Sequence, residues 1–298
     1  MRRITIVGTI LIIAISLMVG VYFAYTASQG SNLDAFDNQP VSASNMAALM
    51  ETSGQPYGPA APASMQNALQ NYGGTPFVSA GKPTVVYIGS ESCPYCAVTR
   101  WSLIMALMRF GNFTGLHYTT SSNTEGDFAT FTFVGSSYTS KYVSFRPYEA
   151  TDRSENPLQT VPSNYSAIWN SKGGGFPFVD FGNQYLEVGA LVSPGILTGK
   201  NWASMITDIS TSDAVGVQIR EAANLITAVI CKITQGAPVS ICSSSPISSE
   251  TSAITGPVQS GLAIESTPLS AAVSQTVFRP SLGRLDHVIA TTGAKRTE

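Results

Sequence analysis

The sequence predicts an α/β domain in which helices flank a central mixed sheet, and three observations support that fold class. A β-prone apolar run over residues 84–89 leads directly into a Cys-x-x-Cys pair formed by Cys93 and Cys96. A helical pattern of apolar residues follows this pair. Later, residues 176–188 contain two β-prone runs around a Gly-Asn turn, which is the pattern of a β-hairpin.

Composition narrows the class of protein. The chain has 298 residues, of which 44% are hydrophobic and only 11% are charged, and its net charge is −2. This length suits one large domain or two small ones. Lysine and arginine are scattered, so the charge pattern argues against nucleic acid as a partner. Serine, threonine, glycine and asparagine replace the missing charge, which suits a surface facing an extracellular medium.

The N-terminus carries a candidate membrane anchor. Two arginines precede an uncharged segment whose apolar part, residues 4–25, matches the ~20 residues that cross a bilayer. Acidic residues follow it, and the next basic residue is Lys82. The positive-inside rule therefore predicts a cytoplasmic N-terminus at residues 1–3, a transmembrane anchor at 4–27 and an extracellular C-terminal domain on a single-pass protein of the cell membrane.

A cleaved signal peptide is the alternative interpretation of this segment. Its apolar core should span about 7–15 residues and end at an Ala-x-Ala-like cleavage site. The observed run is longer, and residues 24–27, Ala-Tyr-Thr-Ala, match such a site poorly. The uncleaved anchor is therefore the preferred expectation.

Shifts in composition divide the remaining chain. Residues 28–40 form a short polar tether, and residues 41–242 carry the periodic patterns of a folded domain. Short aromatic, β-prone runs predict a β-rich insertion at about 121–172. From 243 to 298, serine and threonine alternate with proline, glycine and isolated aliphatics, which predicts a mostly disordered tail.

The folded region contains further predicted elements. A second strand is expected around residues 116–120. Helical patterns, each bounded by capping or breaking residues, predict helices over 42–52, 64–72, 97–109, 163–171, 201–210 and 213–234.

The Cys-x-x-Cys pair carries the strongest chemical signal. A strand that feeds a helix through this pair places Cys93 at the helix N-terminus, where unpaired backbone N–H groups and the helix dipole favour a thiolate. A thiolate attacks disulfides, so the position predicts exchange with Cys93 as the attacking sulfur and Cys96 as the resolving one. The alternative, a purely structural disulfide, would close a very small loop and restrain the unfolded chain weakly.

Cys231 and Cys242 form the other cysteine pair. The total of four cysteines is even, and an exported chain can keep disulfides. A bridge between these two would join the end of the last predicted helix to the following loop, so a structural disulfide is expected. A second redox pair that relays electrons is the alternative.

The sequence predicts neither a metal site nor a cofactor. The second cysteine pair lacks the short spacing of a zinc knuckle, and His117 and His287 have no ligand partner at a usable spacing. The glycine run at 173–175 lacks the Lys-Ser/Thr of a phosphate-binding loop. Copper(I) on Cys93 and Cys96 stays an alternative, because thiolates suit that ion.

The order of elements resembles the thioredoxin fold over residues 83–235: strand, Cys-x-x-Cys, helix, strand, an X-Pro that opens a hairpin, and a terminal helix. The resemblance implies a cis-proline at Phe176-Pro177, facing the cysteines and pairing with the backbone of a substrate. It also implies that Pro94 and Tyr95, between the cysteines, contact substrate.

A more specific resemblance comes from the residues around the motif. These residues are Cys93-Pro94-Tyr95-Cys96, Arg100-Trp101, residues 108–113 and the cysteines at 231 and 242. Together they are similar to an uncharacterised family of archaeal, membrane-anchored thioredoxin-like proteins. Its members are typical of thermoacidophiles. The resemblance covers most of the chain from Pro40 to Cys242 and implies architecture and compartment, while substrate and partners stay open.

One position departs from well-studied oxidoreductases of this fold. Those proteins bury an acid six residues before the first cysteine, where it helps to move the proton of the second sulfur. Here that position is Tyr87, and Glu91, two residues before Cys93, is expected at the surface. The proton acceptor is therefore unassigned by the sequence.

Together these features predict a membrane-anchored, extracytoplasmic thiol–disulfide oxidoreductase without a bound cofactor. Its partners would be protein thiols or disulfides and an unidentified redox partner. Oxidase or isomerase activity is favoured over reductase activity, since the medium outside the cell supplies no reductant. The alternatives are a non-catalytic thioredoxin-like envelope or scaffold protein and a copper(I) metallochaperone.

Overall fold

The computed structural model describes residues 33–54 and 58–256 of the chain. They form a mixed α/β architecture with a central mixed sheet and helices packed against it. The predicted anchor at 4–27 and the part of the predicted tail beyond Gly256 lie outside the described residues.

The first half of the described chain contains the strand and helix that carry the Cys-x-x-Cys pair. Its elements are α1 (Ala43–Gly54), α2 (Ala63–Ala68), β1 (Leu69–Asn71), β2 (Val78–Ser79), β3 (Lys82–Gly89), α3 (Pro94–Met108), β4 (Gly111–Thr114), β5 (His117–Thr120), β6 (Ala129–Thr132) and β7 (Ser137–Ser140).

The second half completes the sheet and adds the longest helix. Its elements are β8 (Ser144–Glu149), α4 (Ser163–Ser171), β9 (Phe178–Phe181), β10 (Tyr185–Val188), α5 (Trp202–Ser210), α6 (Ala214–Ile233), α7 (Val239–Cys242) and α8 (Ile247–Ala253).

Strand β3 lies at the centre of the sheet. It pairs in parallel with β8 and antiparallel with β9, and β9 forms an antiparallel hairpin with β10. Strand β1 extends the sheet beyond β10, and the short β2 pairs with the start of β3. Residues 85–88 of β3 are fully buried, because helices cover both faces of the sheet.

The two faces of β3 belong to different parts of the core. Val85 and Tyr87 belong to the large apolar core that also contains residues of α3 and α6. Val86 and Ile88 lie in a smaller apolar cluster with residues of α4. This alternation follows from the two-residue period of side chains along a strand.

The β-prone runs expected as an insertion at 121–172 include β8, which belongs to the central sheet. The strand expected around 116–120, β5, pairs with β6 instead. Arg146 and Pro147 interrupt the apolar pattern of β8, so its place in the central sheet was not evident from the sequence. Within the described sheet β8 pairs only with β3, and such an edge position tolerates a proline.

The two hairpin-like sheets, β4 with β7 and β5 with β6, lie between α3 and β8 in the chain. The second of them covers α3, since Trp101 Nε1 donates to the Ala129 carbonyl at 3.0 Å and its ring meets Phe131 edge to face. Every residue of α3 from Cys96 to Leu107 is buried as a result. The wide apolar stripe predicted for this helix is thereby explained.

Two predicted boundaries differ from the structure. The helix expected over 64–72 ends at Ala68, because residues 69–71 turn extended and pair with β10. The tail expected from residue 243 still contains α8, which packs against α6 and buries Ile247. Glu250 of α8 also accepts a hydrogen bond from the Ala61 backbone N–H. Helix α8 was not predicted from the sequence because it is short and rich in serine and threonine.

Helix α6 is the one helix in the described part of the chain that is long and apolar enough to cross a membrane. Most of its apolar window is buried within the fold, against α3, α5 and α8. Such burial is typical of the core helix of a globular domain, so α6 is weak evidence for a membrane span.

Three acidic side chains are buried away from the Cys-x-x-Cys pair. Glu187 on β10 is fully buried, neither of its carboxyl oxygens has a hydrogen-bond partner among the described residues, and burial raises its pKa to about 8. Burial also raises the pKa of Asp180 and of Glu250 to about 7. Near neutral pH these groups therefore still hold protons that the unfolded chain has lost.

The raised pKa of Glu187 makes stability depend on pH. The folded form keeps its proton up to about pH 8, whereas an unfolded glutamate releases it near pH 4.3, so stability falls between these values by up to about 1.4 kcal/mol per pH unit. We expect the unfolding midpoint in thermal melts to drop as the pH rises from acid to neutral. Glu187→Gln, which resembles the protonated acid, should flatten this slope.

The matched control for that substitution is Glu51→Gln, at an exposed position on α1. It should leave the pH slope of the unfolding midpoint unchanged. An unchanged slope in Glu187→Gln would show that the carboxyl does not titrate with folding.

Candidate active site

The Cys-x-x-Cys pair sits at the junction between β3 and α3. Cys93 is the N-cap residue of α3, and its Sγ accepts a hydrogen bond from the Cys96 backbone N–H at 3.2 Å. Pro94 occupies the first helical turn, where a missing N–H removes no helical hydrogen bond. The helix N-terminus thus presents its donors to the Cys93 sulfur.

The two thiols differ in exposure and in acidity. Cys93 is partly exposed, whereas Cys96 is buried, and both are free. The hydrogen bond from the Cys96 side chain, the nearby backbone N–H groups and the Arg100 charge lower the pKa of Cys93 to about 7. Burial raises the pKa of Cys96 well above its usual value. Cys93 therefore supplies a thiolate near neutral pH, while Cys96 keeps its proton.

A buried ion pair lies behind the thiols. Arg100 Nε and Nη2 donate to the two carboxyl oxygens of Glu149 at 2.9 and 2.7 Å, and both side chains are fully buried. Arg100 Nη2 also donates to the Ser90 carbonyl at 2.8 Å. The pair therefore connects α3, the end of β8 and the loop that leads to Cys93.

Sequence reasoning assigned no role to this pair. The available signal for Arg100 was a charged residue one helical turn after Cys96, within an otherwise apolar helix. Glu149 gave no comparable signal, because the strand that carries it was assigned to the insertion and not to the central sheet. Its position opposite Gly89 in the parallel pairing of β8 with β3 brings it to the site.

Tyr87 occupies the position where the sequence lacks an acid. Its side chain is fully buried, and burial raises its pKa well above the usual value. The hydroxyl lies so close to Gly89 that a Cβ at that residue would overlap it. The hydroxyl has no hydrogen-bond partner among the described residues.

Glu91 is half-buried at the rim of the site, whereas the sequence predicted a surface position. Burial raises its pKa, and the nearby charges of Glu149 and Asp37 act in the same direction. A hydrogen bond with the Thr132 side chain and the Arg100 charge oppose this shift. Glu91 is therefore a second carboxyl near the thiols.

The predicted cis-proline lies at the same end of β3. The Phe176-Pro177 peptide bond is cis. Ile88 pairs with Phe178, so the antiparallel register places Pro177 beside Gly89, next to the loop of the cysteines. The Phe176 ring stacks on Trp169 of α4 with centroids 5.3 Å apart. This contact holds the residue before the proline against α4.

Tyr95, between the cysteines, is the most exposed of the predicted substrate-binding residues, with 51% of its surface accessible. Pro94 beside it is partly exposed. A half-buried thiol, an exposed aromatic ring and the buried cis-proline thus lie at the same end of β3. This arrangement can hold an extended peptide near Cys93.

The second cysteine pair lies elsewhere. Cys231 and Cys242 form a disulfide with an S–S distance of 1.99 Å and a Cα–Cα distance of 5.5 Å, joining the end of α6 to α7. Ile233, two residues after Cys231, packs against Gly182, whose N–H bonds to Thr84 at the start of β3. The disulfide is therefore near the opposite end of β3 from Cys93, beyond direct contact in this fold.

Potential metal ligands are dispersed in the described part of the chain. No three histidine, cysteine, aspartate or glutamate side chains come together there as a metal-binding group.

The comparison with known proteins adds one finding. Residues 68–232, more than half of the chain, match a family described as a domain of unknown function, DUF929. The chain belongs to the DUF929 family. The match includes the Cys-x-x-Cys pair, Arg100 and Glu149. No curated protein and no solved structure matches this DUF929 chain.

The position of the disulfide predicts a structural role. Replacing both Cys231 and Cys242 with serine should lower the free energy of unfolding by ~3 kcal/mol, the value expected for opening a loop of this size. Denaturant unfolding of the variant beside the oxidised wild type measures this loss. Thiol exchange at Cys93 should continue at temperatures where the variant is folded.

A variant that keeps its stability but loses exchange would contradict this assignment. It would make Cys231 and Cys242 an electron relay to the first pair.

Proposed function

We propose that this DUF929 protein is a membrane-anchored, extracytoplasmic thiol–disulfide oxidoreductase with a thioredoxin-like fold. The observation that carries the proposal is the unequal pair of free thiols at the N-terminus of α3. Cys93 is accessible and has its pKa lowered to about 7, and Cys96 is buried and protonated. A two-step disulfide exchange needs one thiolate that attacks the substrate and a second thiol that attacks later.

The reaction starts when the Cys93 thiolate attacks a substrate disulfide. A mixed disulfide forms on Cys93, and the other substrate sulfur leaves as a thiolate. Cys96 then loses its proton and attacks the Cys93 sulfur, which releases the second substrate thiolate and leaves a Cys93–Cys96 disulfide. The substrate gains two electrons, and run in reverse the same steps oxidise a substrate dithiol.

The order of elements supports the fold assignment. The strand before the Cys-x-x-Cys pair is β3, and the helix that carries the pair is α3. The second strand is β8, the hairpin after the cis-proline is β9–β10, and the long helix is α6. The strands of this series lie side by side as β8, β3, β9 and β10. Phe176 and Pro177, at the start of β9, would hold the substrate backbone, with Pro94 and Tyr95 as further contacts.

The acidity of Cys93 favours one direction of exchange. A lowered thiol pKa stabilises the reduced form of the pair, which makes its disulfide a stronger oxidant. Oxidase or isomerase activity on exported protein thiols is therefore preferred over reductase activity. An unidentified redox partner would restore the disulfide.

The described part of the expected tether at 28–40 packs on the domain. Asp34 and Asp37 form ion pairs with Arg153 at 3.0 and 3.5 Å, and Asn38 N–H donates to the Tyr118 carbonyl at 2.8 Å. The folded domain would therefore start close behind an anchor at 4–27.

Alkylation of the full chain in detergent tests the proposed activity. The Cys93 rate should follow a titration near pH 7, well below the ~8.5 of a free thiol. Cys96→Ser should trap mixed disulfides with exported protein thiols, and a Cys93→Ser/Cys96→Ser control should trap none.

If Cys93 titrates like a free thiol and Cys96→Ser traps no adducts, the protein would be a non-catalytic scaffold. Tight copper(I) binding that is lost in Cys93→Ser, again without adducts, would instead support a metallochaperone.

The location can be tested separately. A reporter fused after residue 40 should be active only outside the membrane, because the flanking charges place the N-terminus inside. Mass spectrometry of the mature chain should find the N-terminal segment retained. A mature start near Ser28 would replace the anchor with a cleaved signal.

A further inference from the structure

The resolving step requires a path for the Cys96 proton. Cys96 is fully buried and holds its proton more tightly than a free thiol, so solvent cannot remove this proton directly. The side chain six residues before Cys93 is Tyr87 rather than a carboxyl group. A buried acceptor must therefore come from another part of the fold.

Three buried groups meet beside Cys96. The Tyr87 hydroxyl and Arg100 Nη1 are both buried without a hydrogen-bond partner among the described residues. The Arg100 guanidinium carbon lies 5.8 Å from the centre of the Tyr87 ring. Glu149 completes the group through its two hydrogen bonds to Arg100.

The register of the sheet brings the Tyr87 hydroxyl to Glu149. The hydroxyl lies against Gly89, and Gly89 is the residue that pairs with Glu149 across the parallel strands. The Cys96 sulfur lies near the same residues, because it accepts a hydrogen bond from the backbone of Ser90, the neighbour of Gly89. The charges of Arg100, Cys96 and Glu149 also influence the pKa of Tyr87. A hydroxyl can accept one proton while it donates another.

We propose that the Cys96 proton passes through the Tyr87 hydroxyl to the Glu149 carboxylate, with Arg100 as the fixed cation of both states. Cys96 gives its proton to the Tyr87 oxygen, and Tyr87 gives its own proton to Glu149. Before the transfer Glu149 is the counter-ion of Arg100, and afterwards the Cys96 thiolate is. The inference rests on the proposed thiol exchange.

The transfer leaves the net charge of the buried site unchanged. The buried site holds one cation and one anion throughout, so no unpaired charge is created in the low-dielectric interior. The Cys96 thiolate then attacks Cys93 in the mixed disulfide and releases the substrate thiolate. In a separate, later step Glu149 releases this proton towards the half-buried Glu91 at the rim, and its pair with Arg100 forms again. Arg100 is thus a positioning residue, and Glu149 is the proton acceptor.

A two-phase reaction with dithiobis(nitrobenzoate) separates the steps on the full chain in detergent. Attack by Cys93 releases the first coloured nitrothiolate, and attack by Cys96 on the mixed disulfide releases the second. Tyr87→Phe should leave the first phase unchanged and slow the second by ~10²-fold, the lower range for a lost proton-transfer group. Because the hydroxyl has no partner, this substitution should not destabilise the fold.

The pH profile distinguishes a relay from a structural effect. Wild-type protein carries its own acceptor, so its second phase should vary little with pH in the acid-to-neutral range. In Tyr87→Phe, hydroxide or buffer must take the proton, so the second phase should speed up about tenfold per pH unit. Glu149→Gln should show the same slope, and combining both changes should add little further loss, since they interrupt one path.

Tyr138→Phe is the control, because it removes a partly buried tyrosine hydroxyl that packs against the same helix but donates to the Leu107 carbonyl. It should leave both phases and their pH profiles unchanged. An unchanged second phase in Tyr87→Phe would overturn the relay. A second phase slowed in Glu91→Gln but not in Tyr87→Phe or Glu149→Gln would overturn it too, because Glu91 would then be the proton acceptor. Absence of a first phase in wild type would overturn the thiol-exchange function, and the relay with it.

Discussion

The buried pair of Arg100 and Glu149 is the interaction on which the rest of the site depends. It joins three segments that are separate in the sequence: the Cys-x-x-Cys helix α3, the loop at Ser90 and the end of β8. Neither charge contacts solvent, so removing one partner would leave the other unpaired at a cost of about 3–5 kcal/mol. The arginine charge also lowers the pKa of Cys93, which ties the stability of this junction to the chemistry of the thiol.

The parts of the fold that the sequence predicts are those with strong local patterns. The strand and helix around Cys93, the hairpin β9–β10 and the helix boundaries at 163–171 come from capping, turn residues and periodicity, and the structure agrees with them. The Cys231–Cys242 bridge and the cis bond before Pro177 are present as well.

What the sequence could not predict depends on contacts between distant residues. Strand β8 is interrupted by Arg146 and Pro147, and only its position at the edge of the described sheet makes that pattern acceptable. Glu149 was missed with its strand. The burial of Arg100 and of Tyr87 was equally hidden, since the partners that fill their surroundings come from other elements.

The parallel pairing of β3 with β8 has a consequence for the order in which the protein acquires its reactivity. Arg100 and Glu149 are 49 residues apart in the chain, with α3 and two small β-sheets between them. Closing a segment of this length loses chain entropy before the contact is gained, so we expect β8 to dock late in folding. Until then Cys93 lacks the completed charge pair behind it. Cys93 of a newly made chain would thus become an effective nucleophile only once most of the domain is assembled, which limits mispairing among the four cysteines of the chain.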